Sequence, residues 1–452
     1  MRRRARWGRA GAVAVGVGLA LLAGGTVPAP AGGAATADGD PSSGVRTGPT
    51  GATGVRITAD ATECGRGPEY TWIPAQPYAH TRLGLDDAWD VARGQGVTVA
   101  VVDSGVEDGG EHLRDAVVPG TTFVTGDPDA DGTGAVNNHG TAIASLIAAR
   151  QVPGSGLVGV APRAMVLPVR VFASTDEQDV VAGNGLRMDR IAAGIRYAVD
   201  AGARVVNVSL SSPTPDDDLE AAVAYAVSRD VLVVASAGNR DEADASDGPR
   251  WPAAYPGVLG VTAVDTADQV TDASVHSEAV DVAAPGQQVV SAWFDDKDCV
   301  NAPPPAAPQT SWATGYVSGV AALVASAHPD APAEEIAYRI QASADRPVRA
   351  ERDDRRGWGI VQPYAAMVMT LDPSRPGPPV PGAGTDAGTL DPPVERLAVR
   401  EAEDELAPAR ATALWWALLG GSAVVFAALL TALFRPHPDP HPHPDPRPRP
   451  HP

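Results

Sequence analysis

Cysteine is scarce in this 452-residue chain, which holds two, Cys64 and Cys299. Two thiols make a poor zinc site, because a structural zinc takes four ligands. Positive charge is in deficit too: 35 basic residues face 55 acidic ones, for a formal net charge of −20. Phosphate binding wants a basic face, so this balance argues against a nucleic-acid partner and for solubility. No period of 20–50 residues recurs, which removes repeat architectures. The length suffices for a core-forming domain of about 250–300 residues with tails on either side.

Charge is also absent locally, and there the absence is informative. Residues 411–434 carry no charged side chain and are mostly apolar, with Leu418, Leu419, Val424, Val425, Phe426, Leu429, Leu430 and Leu433 among them. Such a run is long enough to cross a bilayer of about 30 Å. Trp415 and Trp416 sit near one end, where interfacial aromatics belong. Glu401, Glu403, Asp404 and Glu405 precede the run, and Arg435, Arg447 and Arg449 follow it. The positive-inside rule then places the tail from 435 in the cytoplasm and the main domain outside. At the other end, Arg2, Arg3, Arg4, Arg6 and Arg9 precede a short apolar run and an Ala29-Pro30-Ala31 cleavage pattern. Residues 1–31 therefore read as a signal peptide, with the Arg pairs compatible with either export route. An exported chain meets oxidising conditions, in which Cys64 and Cys299 can pair, tying an N-terminal extension to the loop before Ser311.

Composition divides the rest. Residues 32–63 are rich in Gly, Ala, Thr and Pro and read as a flexible segment. Residues 371–410 read as a Pro-rich and acidic stalk. The tail of 435–452, with His437, His441, His443 and His451 between prolines, cannot form a core. Between 64 and 370, short β-rich runs (97–103, 165–172, 204–210, 231–235) alternate with amphipathic helical stripes (139–150, 187–201, 219–227). That order predicts an α/β domain with a mostly parallel sheet and helices on both faces. Loops at the carboxyl ends of such strands build active sites.

Four candidates fall at those positions. Asp103 ends the first strand, in Asp103-Ser104-Gly105. His139 opens a helix, in His139-Gly140-Thr141. Asn239 follows a strand, in Ala237-Gly238-Asn239. Ser311 lies at the start of a helix dense in small residues, in Thr310-Ser311-Trp312-Ala313. A lone Asp after a strand is more often a turn or cap residue. The order Asp–His–Ser, each at an element terminus, is a different matter, because it matches one of the known chain orders of a nucleophilic triad. Asp127, Asp129 and Asp131-Gly132 have the spacing of a calcium loop, but the twelfth position is Asn138, not a bidentate Glu, so a solvated loop is expected and no metal.

The segments VAVVDSGVE (99–107), NHGTAIASLIAA (138–149), VVASAGN (233–239), VAAPG (282–286) and TSWATGYVSGVAALV (310–324) resemble the subtilases, the subtilisin-like serine proteases. The resemblance implies a subtilisin-like α/β fold and peptide-bond hydrolysis without a cofactor. It implies Ser311 as nucleophile, His139 as general base, Asp103 as the residue orienting the imidazole, and Asn239 as oxyanion donor. It also implies that Ser209, Leu210 and Ser211 border the cleft and pair a substrate backbone as an added strand. The order of signal peptide, N-terminal extension, stalk and C-terminal span is similar to the mycosins, the subtilases of type VII secretion. That implies protein substrates linked to secretion, a membrane location, and a structural contribution to a secretion complex.

Two positions depart from the subtilase pattern Gly-Thr-Ser-x-Ala-x-Pro: Gln309 stands for the Gly and Gly315 for the Pro. Gly tolerates backbone conformations that Gln does not, and Pro constrains a helix start that Gly loosens. Either change can move Ser311 by a fraction of an ångström and slow the reaction; the surviving triad types predict some hydrolysis, and a weakly active or inactive scaffold is the alternative reading.

Overall fold

The computed structural model describes residues 72–127, 129–134, 137–174, 180–240, 245–294, 297–348 and 350–382, with eight isolated positions between 415 and 430. The signal peptide, the flexible segment, Cys64, most of the stalk and the tail lie outside the described residues. Of 411–434, only Trp415, Gly421, Ser422, Val424, Phe426, Ala427, Leu429 and Leu430 are described; all are helical and exposed. Among the described residues no helix is long and apolar enough to cross a membrane.

Seven parallel strands form the central sheet in the order β2-β3-β1-β4-β5-β6-β7. They are β1 (Thr98–Asp103), β2 (Thr121–Thr122), β3 (Met165–Arg170), β4 (Val205–Val208), β5 (Leu232–Ser236), β6 (Val258–Val264) and β7 (Val282–Pro285). A separate antiparallel hairpin joins β8 (Val289–Trp293) to β9 (Lys297–Asn301). The strands are β-branched runs rather than alternating ones, because both faces are covered. Alternation still sorts the side chains: Val99, Val101, Val205 and Val234 enter one core, and Ala100, Val102, Val206 and Val233 enter the other.

The first core is closed by α1 (Tyr78–Arg82), α2 (Leu85–Val91), α3 (His139–Ala148), α6 (Thr310–Ala327), α7 (Ala333–Ser343) and α8 (Pro363–Val368). The second is closed by α4 (Met188–Asp200) and α5 (Asp217–Ser228). Asp216 caps α5, accepting from Leu219 N–H at 2.9 Å, with Asp217 and Asp218 in the first turn where the helix dipole favours acids. The expected strands and helices are present with ends displaced by about two residues or fewer, while β6, β7 and the hairpin lie in segments that hydrophobic periodicity left unassigned.

The N-terminal extension is fastened at the hairpin. The Asp298 carboxylate, fully buried, accepts from Ile73 N–H at 2.8 Å and from Ser155 Oγ at 2.6 Å, and lies 3.1 Å from His112 Nε2. Trp72 meets the His112 ring edge-on at 5.2 Å. Neighbouring Cys299 is disulfide-bonded, and Cys64 is the sequence's only other cysteine.

On the far side of β6, Asp281 carboxylate accepts from Gly260 N–H at 2.8 Å. Burial pushes this carboxyl up from the ordinary 3.8 to about 6. The folded chain therefore takes up a proton between roughly pH 4 and 6 that the unfolded chain has already released, so stability falls as pH rises through that window. Asp281→Asn retains an oxygen for Gly260 and removes the titration. The decline in stability from pH 4 to 7, followed by chemical denaturation, is expected to shrink by up to about 2 kcal/mol, less than the full shift because the residue is part exposed.

Candidate active site

The carboxyl ends of β1, β4 and β5 are neighbours, and they carry Asp103, Asn207 with Ser209, and Asn239 respectively. The first task of this edge is to bring α3 against the end of β1. Gly140 makes that possible: a Cβ there would lie 2.2 Å from the Gly105 carbonyl oxygen and 3.2 Å from Asp103 Cβ. Gly140 N–H donates to Ser104 Oγ at 3.0 Å, and Ser104 Oγ donates to the Asn137 carbonyl at 2.9 Å. The Asn137 side-chain oxygen accepts from His139 N–H at 2.9 Å, satisfying an open donor at the helix start.

This approach places His139 Nδ1 at 2.8 and 2.9 Å from the two carboxylate oxygens of Asp103. Asp103 is fully buried and also accepts from Ser104 N–H at 2.7 Å. A proton held at Nδ1 by the carboxylate leaves Nε2 as a bare acceptor in the neutral ring, the form a general base needs. His139 Nε2 is buried and finds no hydrogen-bond partner, and the same holds for Ser311 Oγ. Buried polar atoms are normally paired, so two orphans of this kind mark a functional site.

Ser311 is delivered by α6, which is buried from Thr310 to Ala325. Small residues permit that burial: Gly319 sits where a Cβ would meet Val160 at 2.6 Å, and Gly315 lies against Ile143 and Leu146 of α3. The helix is held in register by polar contacts to the strand ends. Thr310 Oγ1 pairs with Ser236 Oγ at 2.6 Å, and Asn207 Nδ2 donates to Ser318 Oγ at 2.9 Å. Ser209 Oγ lies 3.0 Å from the Ser311 carbonyl oxygen. Trp312 is buried beside the His139 ring, centroids 5.1 Å apart, so the residue after Ser311 forms a wall for the imidazole.

Asn239 Oδ1 accepts from Thr310 N–H at 3.0 Å. A backbone N–H can only donate, which fixes the amide oxygen there and the NH2 on the other branch of the carboxamide. Ser311 is the second residue of its helix, so its N–H has no intrahelical acceptor. An amide NH2 and a helix-start N–H beside one hydroxyl are suited to stabilising an oxyanion.

Sequence reasoning placed Asp103, His139, Asn239 and Ser311, and the structure brings all four to one edge of the sheet. Within 209–211, Ser209 and Leu210 are buried, Leu210 as part of the second core, and only Ser211 is partly exposed. This segment has backbone rather than side chains to offer a ligand, except at Ser211. In the loop of Asp127, Asp129 and Asp131, the Asp127 carboxylate is buried while the Asp129 side chain is 41% exposed. Arg170, buried at the end of β3, forms an ion pair with the Asp127 carboxylate and donates to the Thr133 carbonyl. No cluster of metal-ligating side chains occurs among the described residues. Asn137, Trp312 and Arg170 carried no local sequence signal for these roles.

The departures beside Ser311 prove compatible with ordinary geometry. Gln309 has φ −116° and ψ 131°, open to any residue, and its N–H donates to Gly286 O at 2.8 Å. Gly315 lies within continuous helix and supplies an N–H that Pro lacks. Gln309→Gly and Gly315→Ala are therefore each expected to change kcat/KM by less than about threefold. A gain of about a hundredfold in either, measured on peptide substrates, would restore the view that these residues disturb the nucleophile.

Residues 94–359 match the family model of the subtilases, and the chain belongs to that family. It is a serine peptidase of the subtilisin type, and within the family it is similar to the mycosins. It is 34% identical to mycosin-1 of Mycobacterium tuberculosis over 340 residues, 66% of this chain and 74% of that protein. It is 33% identical to thermitase of Thermoactinomyces vulgaris over 279 residues, 62% of this chain and 92% of thermitase. The crystal structure of MycP1 from Mycobacterium smegmatis aligns with a TM-score of 0.58 at 28% identity, covering 69% of this chain and 90% of that one. MycP3, described as a protease from the type VII (ESX-3) secretion system, aligns with a TM-score of 0.58 at 31% identity.

Proposed function

We propose that this chain is a membrane-anchored, extracytoplasmic endopeptidase in which Ser311 is the nucleophile, His139 the general base and Asp103 the residue that orients it. The observation that carries the reading is the pairing of His139 Nδ1 with the buried Asp103 carboxylate, which leaves Nε2 as the open acceptor; Nε2 and Ser311 Oγ are both buried without a hydrogen-bond partner. Ser311 Oγ attacks the scissile carbonyl carbon as Nε2 takes its proton. The oxyanion is held by the Asn239 NH2 and the Ser311 N–H. Nε2 then protonates the leaving amine, the C–N bond breaks, and the acyl group remains as an ester on Ser311. Water, deprotonated by Nε2, attacks that ester and frees the acid, returning the proton to Ser311.

The edge after β4 supports substrate binding by strand addition, through the backbone of Ser209, Leu210 and Ser211. Anchoring rests on the uncharged run at 411–434, whose described residues Trp415, Val424, Phe426 and Leu429 are helical and exposed, with Arg435 beyond. Export rests on the N-terminal pattern, and an oxidising compartment suits a Cys64–Cys299 disulfide. A role in processing proteins of a type VII secretion system rests on likeness to relatives so described.

The test is labelling of full-length protein with a fluorophosphonate, which esterifies only an activated serine. Labelling is expected, with loss in Ser311→Ala and a fall in peptide hydrolysis of about 10⁴-fold or more. Equal labelling of both proteins, or none of a folded wild type, would refute the nucleophile; an intact secretion phenotype in Ser311→Ala would then favour a scaffold.

A further inference from the structure

We propose that Arg250 plugs the pocket for the residue on the acyl side of the scissile bond and restricts that position to small side chains. The inference rests on the proteolytic reading of Ser311, His139 and Asn239.

The pocket's place follows from the reaction geometry. With the scissile carbon at Ser311 Oγ and its oxygen at Asn239, the side chain of the acyl residue leaves from the adjacent carbon. A substrate strand paired along 209–211 directs that side chain between Ser211 and the residue before Asn239. That residue is Gly238, with φ +99°, which offers no side chain to fill the space.

Arg250 occupies it. A Cβ built on Gly238 would lie 2.7 Å from Arg250 Cγ, 3.4 Å from Ser211 Oγ and 3.4 Å from Val275 Cγ2. The stem of Arg250 thus lies against the pocket wall, next to the one partly exposed side chain of the cleft segment. Arg250 is 5% exposed. Its guanidinium is turned into its own loop, donating to the Ser246 carbonyl at 3.0 Å and the Pro249 carbonyl at 3.3 Å. The backbone around it is fixed: Ser212 and Trp251 exchange hydrogen bonds of 2.8 and 2.9 Å, and Val275 N–H donates to Gly238 O at 3.0 Å. The methylenes are therefore anchored at both ends and do not swing aside for a large side chain.

The test uses full-length protein and peptide anilides that differ only in the acyl-side residue, Ala, Glu or Phe. The wild type is expected to favour Ala over Phe in kcat/KM by about tenfold or more. Arg250→Ala is expected to raise the Phe substrate by about tenfold while Ala changes less than about threefold. Arg250→Met, which keeps the stem and removes the charge, is expected to retain the wild-type preference. An unchanged Ala-to-Phe ratio in Arg250→Ala overturns the proposal. So does a wild-type preference for Glu that Arg250→Met abolishes, since the head group would then be reading charge. Fluorophosphonate labelling of each variant separates the two levels: a labelled protein with the wrong selectivity refutes the plug, whereas an unlabelled, folded wild type refutes the nucleophile beneath it.

Discussion

The close approach of α3 to the end of β1 is the constraint on which the rest of the site depends. It exists because Gly140 has no side chain: any Cβ would collide with the Gly105 carbonyl. Once the approach is made, Ser104 and Asn137 satisfy the donors it would otherwise bury, and His139 meets Asp103 at hydrogen-bond distance. A shift of the helix by about 1 Å would lose both the pairing and the direction of Nε2. The packing of two glycine-bearing segments thus decides a chemical property, the tautomer of one imidazole.

A second consequence concerns α6, which enters the core carrying hydroxyls. Burying Thr310, Thr314 and Ser318 without partners would be destabilising, on the order of 1–3 kcal/mol each. Each is instead bonded: Thr310 to Ser236, Thr314 to the Thr310 carbonyl at 2.7 Å, and Ser318 to Asn207. The bonds of Thr310 and Ser318 cross to the sheet and set the register of the helix against it, since a slide along the helix breaks both together, whereas the Thr314 bond stays within the helix. The same residues explain the composition of α6. Gly and Ala give it closeness, and Ser and Thr give it position.

The substitutions flanking Ser311 show how a motif and its geometry can separate. Gln309 stands where subtilases have Gly, yet its backbone is in the extended region, and the close approach at this point falls on Gly286: a Cβ there would lie 2.6 Å from the Gln309 carbonyl oxygen. Loss of Pro at 315 is offset by an ordinary helical N–H. The motif is one local solution for holding the nucleophile, and the surrounding packing supplies another.

Much of this was legible in the sequence. Residue types and their order along the chain determined the α/β class, the strand ends bearing Asp103 and Asn239, the helix starts bearing His139 and Ser311, and membership of the subtilases. Those properties are local, depending on periodicity, caps and short motifs. Only the tertiary structure decided that Ser209 and Leu210 turn inward, that Arg170 ties down the Asp127 loop, that Trp312 walls the imidazole, and that Arg250 fills the space beside Gly238. Each of these is a contact between segments distant in the chain, and no hydrophobic period or turn signal encodes which side chain reaches across a sheet edge. The sequence by itself determined which chemistry is available; the through-space packing of separate segments decided where it is held and how much room it leaves.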